Sequence, residues 1–238
     1  MRDIAAFDVE DVRACSETIR SLGAGAASME DAATRIVRYL YDELGDGNGE
    51  RACVLVRLYK THAYGKLPVE VRSFAGDVLG DVPPDDVRCL TLLGTAGDLP
   101  AWNDRRRSQG HQAIPLPSEQ LVEQLPMVRQ LITQLGLEVS TVVRPDPSSA
   151  RELSQRTYDV FHVPTAKGSP HLPAQDFVAA HSVESALGFG GMLYTGDFYA
   201  VVLFSRAPVP SDAAQMLKIL SLAVRVPLLT QLGRVFSP

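Results

Sequence analysis

"SALGFGGMLYTGDFYAVVLFSR", residues 185–206, decides how the chain folds. Its second half alternates Phe198, Ala200, Val202 and Phe204 with Tyr199, Val201 and Leu203, so both sets of a period-two pattern are apolar. A strand of that kind is covered on both faces and belongs at the centre of a sheet. "TGD" at 195–197 signals a tight turn, which joins it to a preceding strand over 183–193. In that first strand Gly188 and Gly190 share one face, while Leu187, Phe189 and Gly191 share the other. Two successive positions without a side chain leave a shallow depression. It admits a close-packed helix or a bulge, or it floors a ligand pocket. "GFGG" is not a phosphate loop, because it runs into a strand and offers no helix N-terminus.

Working outward, residues 9–22 carry apolar side chains at helical spacing, and "GAGAAS" then breaks the pattern as a hinge. Ser28 caps a helix over 28–44 with the stripe Ile36, Val37, Leu40 and Leu44. "RACVLVRLYKTH" (51–62) and "VRCLTLLGTAG" read as strands, with a short helix after Pro68 between them. "HQAIPLP" reads as an edge strand limited by its prolines. Leu121, Leu125, Val128, Ile132 and Leu135 predict one amphipathic helix over 118–135, kinked at Pro126. "LEVSTVV" is strand-like, "TYDVFHV" is a further apolar segment, and "PTAKGSPHLPAQ" has too many turn formers for regular structure. A last helix is capped by Ser211 and kinked or ended by Pro227. Helices, hairpin-paired strands and the central hairpin together predict an α+β fold rather than a doubly wound parallel sheet.

Composition narrows the function classes. The chain has 238 residues, 45% hydrophobic and 21% charged, which suits a globular protein. A net charge of -5 removes the positive field that nucleic-acid binding depends on, so no nucleic acid is expected as partner. Cys15, Cys53 and Cys89 are widely spaced and form no CxxC pair, as reduced thiols of a cytoplasmic protein would be. The acidic opening lacks the apolar core of a signal peptide, and no run of about 18 apolar residues suggests a membrane span.

Four segments, "MEDAATRIVRYLYDEL", "ERACVLVRLY", the 185–206 hairpin and "SDAAQMLKILSLAVRVPLL", together resemble a GAF domain, the bacterial small-molecule sensor fold related to PAS. More narrowly, "RCLTLLGTAGDLPAWNDRRRSQGHQAIPLPS" and "RTYDVFHVPTAKGSPHLPAQ" are similar to a sensory region found ahead of bacterial histidine kinases and diguanylate cyclases. The resemblance implies a GAF-like central antiparallel sheet of about five to six strands, with terminal helices packed on one face and loops and short helices on the other. It implies a helical extension and hinge at 1–26, one sensory domain at 27–234 and a tail at 235–238. It further implies a ligand held between the sheet and the 95–117 and 164–182 loops, and a homodimer formed through the terminal helices. Output goes to a partner in trans, a histidine kinase or diguanylate cyclase of a two-component system. A rival reading is a ligand-free scaffold of the same fold, its pocket filled by its own side chains and its work protein–protein contact.

Candidate ligand-binding residues follow from the loops. In "WNDRRRSQGHQ", which also holds the candidates Trp102 and His111, Arg105 and Arg107, sharing one face of an extended segment, could clamp a carboxylate or phosphate. The bland alternative is a solvated charge run paired with Asp98 and Asp104. Phe161, His162, His171, His181, Gly188 and Gly190 complete the set. Spacings of nine and ten between the three histidines fit no compact zinc motif, which leaves haem or a metal at His162, His171 and His181 as a remote alternative. No catalytic set is legible: GxSxG, the P-loop, HExxH and a strand–helix GxGxxG are all missing. One branch of the GAF fold reduces methionine sulfoxide with a cysteine, but Cys53 and Cys89 lie in apolar strands rather than exposed loops.

Overall fold

A computed structural model describes residues 1–237. Pro238, the end of the expected 235–238 tail, lies outside the described residues. Six strands form the main sheet: β1 (Cys53–Ala63), β2 (Arg88–Gly97), β3 (Ala113–Leu116), β4 (Phe161–Val163), β5 (Ser185–Met192) and β6 (Phe198–Ser205). They run antiparallel in the order β3-β2-β1-β6-β5-β4. The hairpin β5–β6 is therefore interior, and every residue of β6 except Phe204 is buried, as its two apolar sets require.

One face of the sheet carries α2 (Met29–Glu43) and α10 (Leu220–Thr230), with α1 (Val9–Ser21) and α9 (Ser211–Leu217) packed around α10. Ile36, Val37 and Leu40 of α2 meet Val56, Leu58, Phe189 and Val201 of the sheet in one apolar core. Gly94 lets α2 lie directly on β2: a Cβ there would stand 2.7 Å from the backbone of Ala33. The other face is covered by short helices: α4 (Glu119–Glu123), α5 (Pro126–Gln134), α6 (Val139–Val143), α7 (Ala150–Gln155) and α8 (Gln175–Ala180). Their side chains join Leu92, Phe161, Phe198 and Val202 in a second core. α3 (Val69–Leu79) lies against β3 at the sheet edge and ends on Gly80 in the left-handed conformation.

Three local expectations are corrected. Residues 137–143 hold a helix, not a strand, because Val139, Val142 and Val143 at helical spacing all reach the second core, and packing overrides their β propensity. The 118–135 helix is two helices, since Pro126 opens α5 as its first residue and Leu125 leaves the helical conformation. At the C-terminal end Pro210 flanks the helix, which breaks at Lys218–Ile219, and Pro227 stays inside α10 packed on Gly23. By length and mean hydropathy (1.3) the 211–230 stretch would pass for a membrane span. Its Leu217, Leu220, Ala223, Val224 and Leu228 instead fill the first core.

The C-terminal segment completes the first turn of α2. Met29 and Glu30 donate their backbone N–H groups to the carbonyls of Arg234 and Val235 at 2.8 Å each, and Asp31 donates to Ser28 Oγ at 3.0 Å. Phe236 then packs against His62 at 5.6 Å between ring centroids. At the same end of β1, where the β5–β6 turn arrives, Asp197 Oδ2 accepts from Lys60 Nζ (2.8 Å) and Thr195 Oγ1 (2.7 Å), and Oδ1 accepts from Arg88 Nη1 (2.7 Å).

Candidate functional site

The depression under Gly188 and Gly190 is not open. Gly188 lies opposite Phe161 in register, and a Cβ on it would stand 3.0 Å from Leu131 Cδ1 and 3.2 Å from Phe161 Cδ1. At Gly190 a Cβ would overlap the carbonyl oxygen of Tyr199 on the neighbouring strand, and at Gly191 it would stand 2.5 Å from the Tyr158 ring. Leu131 of α5 and the Phe161 ring occupy the space at Gly188, and Phe161 is wholly buried there. Gly190→Ala is expected to destabilise the protein by about 1–3 kcal/mol, because the clash is with backbone and the strand pair must shift. Urea unfolding measures this, and a change below a few tenths would show that β5 can move freely.

The two loops expected to flank a ligand do meet. Residues 100–107 form two short 3₁₀ turns, Pro100–Asn103 and Arg105–Arg107, at the end of β2. Trp102 is held by Thr95 Oγ1, which donates to its carbonyl at 2.9 Å, and its ring lies over Gly97. The ring meets His181 edge-on at 4.7 Å and Phe177 at 5.7 Å, and Phe177 meets Phe204 at 5.1 Å. Trp102 and His181 are thus brought together, as the wall that joins the 95–117 segment to the 164–182 segment.

The arginine run is organised differently from the expectation. Its backbone is a 3₁₀ turn, not an extended segment, so Arg105 and Arg107 do not form a clamp. Arg105 turns inward and pairs with Glu30 through Nε (2.7 Å) and Nη2 (2.9 Å), with Phe236 over its guanidinium. Arg107 and His111 are exposed. Asp98 bonds Tyr41 and Arg206 rather than the run, and Asp104 caps its turn through the N–H of Arg106.

His162 and His171 line a shallow cleft of about 390 Å³ with Gln134, Thr165, Lys167 and Ser169, at the outer edge of β4. His162 Nε2 lies 3.0 Å from the carbonyl of Val209, and burial lowers its pKa. His181 is away at the Trp102 wall, so the three histidines do not converge. Among the described residues no group of three His, Cys, Asp or Glu side chains could hold a metal ion. The three cysteines are buried, and desolvation pushes the Cys53 and Cys89 thiols up to about 12, so they stay protonated at neutral pH.

One polar group on the loop-covered face was not singled out from the sequence. Arg57 sits in the central strand β1, in register with Thr95 on one side and Val202 on the other, between Leu55 and Tyr59. Nη1 donates to Tyr59 Oη and Nη2 to Ser108 Oγ, both at 3.3 Å, while Nε is shielded from solvent without a partner. Ser108 belongs to the loop that follows the arginine turn, and Gln112 pins that loop by donating to the carbonyls of Arg106 (2.9 Å) and Ser108 (3.0 Å). The sequence signal was a lone arginine inside "CVLVRLY", where the strand pattern calls for an apolar residue.

Over nearly its whole length the chain is similar to solved structures at low identity. The GAF domain of Acinetobacter phosphoenolpyruvate-protein phosphotransferase matches at 12% identity and a TM-score of 0.41, covering 92% of each chain. The phycoerythrobilin-bound GAF domain of a cyanobacterial phytochrome matches at 11% and 0.43, over 93% of this chain and 97% of that one. The chromophore-binding domain of an unusual bacteriophytochrome from R. palustris matches at 8% and 0.42, over 94% of this chain and 63% of that one. No ligand or partner transfers from these proteins to this chain at such similarity. No family model and no curated protein matches it.

Proposed function

We propose that the chain is a non-catalytic, GAF-like sensory module of the cytoplasm, which binds a small ligand on the loop-covered face of its sheet and signals through its terminal helices to a partner in trans. The observation that carries this reading is the Arg57 guanidinium, a charge placed in the middle of a central strand with only two long hydroxyl contacts. A half-buried guanidinium in a strand of otherwise apolar neighbours, with no protein counter-ion, is a natural place for a ligand to bind.

A route from that face to the helices is built in. The loop over Arg57 begins with Arg105, which grips Glu30 in the first turn of α2. Glu30 also accepts from the backbone N–H of Ser237 at 3.0 Å, and its own N–H holds the carbonyl of Val235. Loop, α2 and C-terminal segment therefore share one residue. A ligand that favours one position of the 104–112 loop biases the docking of the C-terminal segment. A homodimer through α1, α2, α9 and α10, with a histidine kinase or diguanylate cyclase as partner, belongs to the same proposal.

The rival reading, a ligand-free scaffold, is favoured by a specific observation: Leu131 of α5 and Phe161 fill the glycine depression at Gly188. Native mass spectrometry of freshly purified protein, with its absorption spectrum, separates the two. A discrete adduct released on denaturation is expected for the sensor, on a mass that also reports the dimer. A bare mass unchanged after incubation with cell extract supports the scaffold.

A further inference from the structure

We propose that Arg57 anchors an oxyanion site, so that the ligand of the loop-covered face carries a carboxylate or phosphate group. The inference rests on the small-ligand reading and gives it a chemical class. Its ground is how this protein treats its other sheltered cations. Lys60 and Arg88 share Asp197, and Arg105 takes Glu30. Arg57 has no carboxylate within 4.0 Å among the described residues, although it stands on the most interior part of the sheet. A half-buried guanidinium held by neutral hydroxyls alone leaves its shielded Nε unpaired and its charge without a protein counter-ion.

The surroundings suit an anion. Nε is shielded and unpartnered, and together with one Nη it presents the two parallel N–H groups that a carboxylate or phosphate accepts side by side. Tyr59 Oη and Ser108 Oγ, which now accept from Arg57, have protons of their own to turn toward a bound oxygen. Cross-strand Thr95 has its hydroxyl proton committed to the Trp102 carbonyl, so it fixes the wall rather than the ligand. His111 also lies close enough to Arg57 to feel its charge, which adds to desolvation in lowering its pKa. The Ser108–Gln112 loop covers the guanidinium, with Gly110 in a left-handed conformation and His111 on the surface. The anion chemistry suggested by the arginine run is therefore assigned to a residue in the strand beneath it, while Arg105 is already neutralised by Glu30.

The test is titration of the purified full chain with inorganic phosphate and, separately, malonate, against sodium chloride at matched ionic strength, read by calorimetry and thermal shift. Saturable binding of at least one anion is expected, weakened about tenfold or more by Arg57→Met. Arg107→Met should bind as the parent does. Ser108→Ala, which leaves the strand intact, should weaken binding several-fold and stands in if Arg57→Met does not fold. Binding of phosphate alone identifies a phosphorylated ligand, and binding of malonate alone a carboxylate. Absence of saturable binding to either anion overturns the proposal, as does binding indifferent to Arg57 and Ser108. An uncharged molecule found on the protein by native mass spectrometry would overturn the oxyanion site while leaving the sensor reading standing.

Discussion

Asp197→Ala is expected to cost about 3–5 kcal/mol of folding stability, because it strips the carboxylate from two cations at once. Lys60 Nζ, on a side chain 3% exposed, would keep only the Thr61 carbonyl at 3.0 Å, with Arg88 facing it as a like charge. The carboxylate also ties the β5–β6 turn to β1 and β2, so its loss loosens the end of the central hairpin. Burial alone would raise the Asp197 pKa, but the charge and hydrogen bond of Lys60, with Thr195 and Arg88, more than offset that and leave it lowered. Its contribution is therefore full above the unfolded carboxylate pKa and is lost as pH falls through the lower folded value. Urea unfolding at neutral pH checks the magnitude. The double variant Lys60→Met/Asp197→Ala should recover part of the loss, since no buried ammonium is then left unpaired. A single-variant cost below about 1 kcal/mol would mean the cluster behaves as a solvated surface pair.

His62→Phe is expected to flatten the acid side of the stability profile. His62 is buried with neither ring nitrogen partnered, against Phe236 and opposite Cys89 of β2. Burial first, then the charge of Lys60, hold its pKa well below the usual histidine value, with Arg88 acting in the same direction and Asp197 against it. The unfolded chain takes up this proton near pH ~6.5 and the folded chain does not. Stability therefore falls as pH drops below that value, by up to about 1.4 kcal/mol per pH unit, or about 2 kcal/mol between neutrality and pH ~5. In His62→Phe that increment should vanish, while removal of two unpaired buried nitrogens leaves neutral stability unchanged or higher. His162, also lowered by burial, contributes a slope common to both proteins. Equal pH dependence of parent and variant would show that His62 is protonated in the folded chain.

How far the candidate site was legible depended on whether its chemistry was local. Trp102 and His181 stood out as an aromatic and an imidazole in turn-rich segments, and their contact at 4.7 Å joins the two loops the sequence placed together. The arginine run stood out for the same reason, yet its most sheltered member is spent on Glu30, 75 positions earlier in the chain. Charge complementarity over such a separation leaves no mark in the local pattern. Arg57 was the converse case: it looked like one polar residue in a strand, and its meaning lay in the carboxylate that no neighbouring element supplies.

The sequence by itself determined the α+β class, the central hairpin, the tight turn at 195–197 and nearly every strand, because each rests on period, turn residues and burial that neighbouring residues encode together. The 137–143 segment shows where that ends, since a β-branched run became a helix once Val139, Val142 and Val143 could reach one core. The glycines of 188–191 show it again. Sequence made the depression, and only the tertiary structure decided that Leu131 and Phe161 occupy it, because close packing fills any space that folding brings within reach of a side chain.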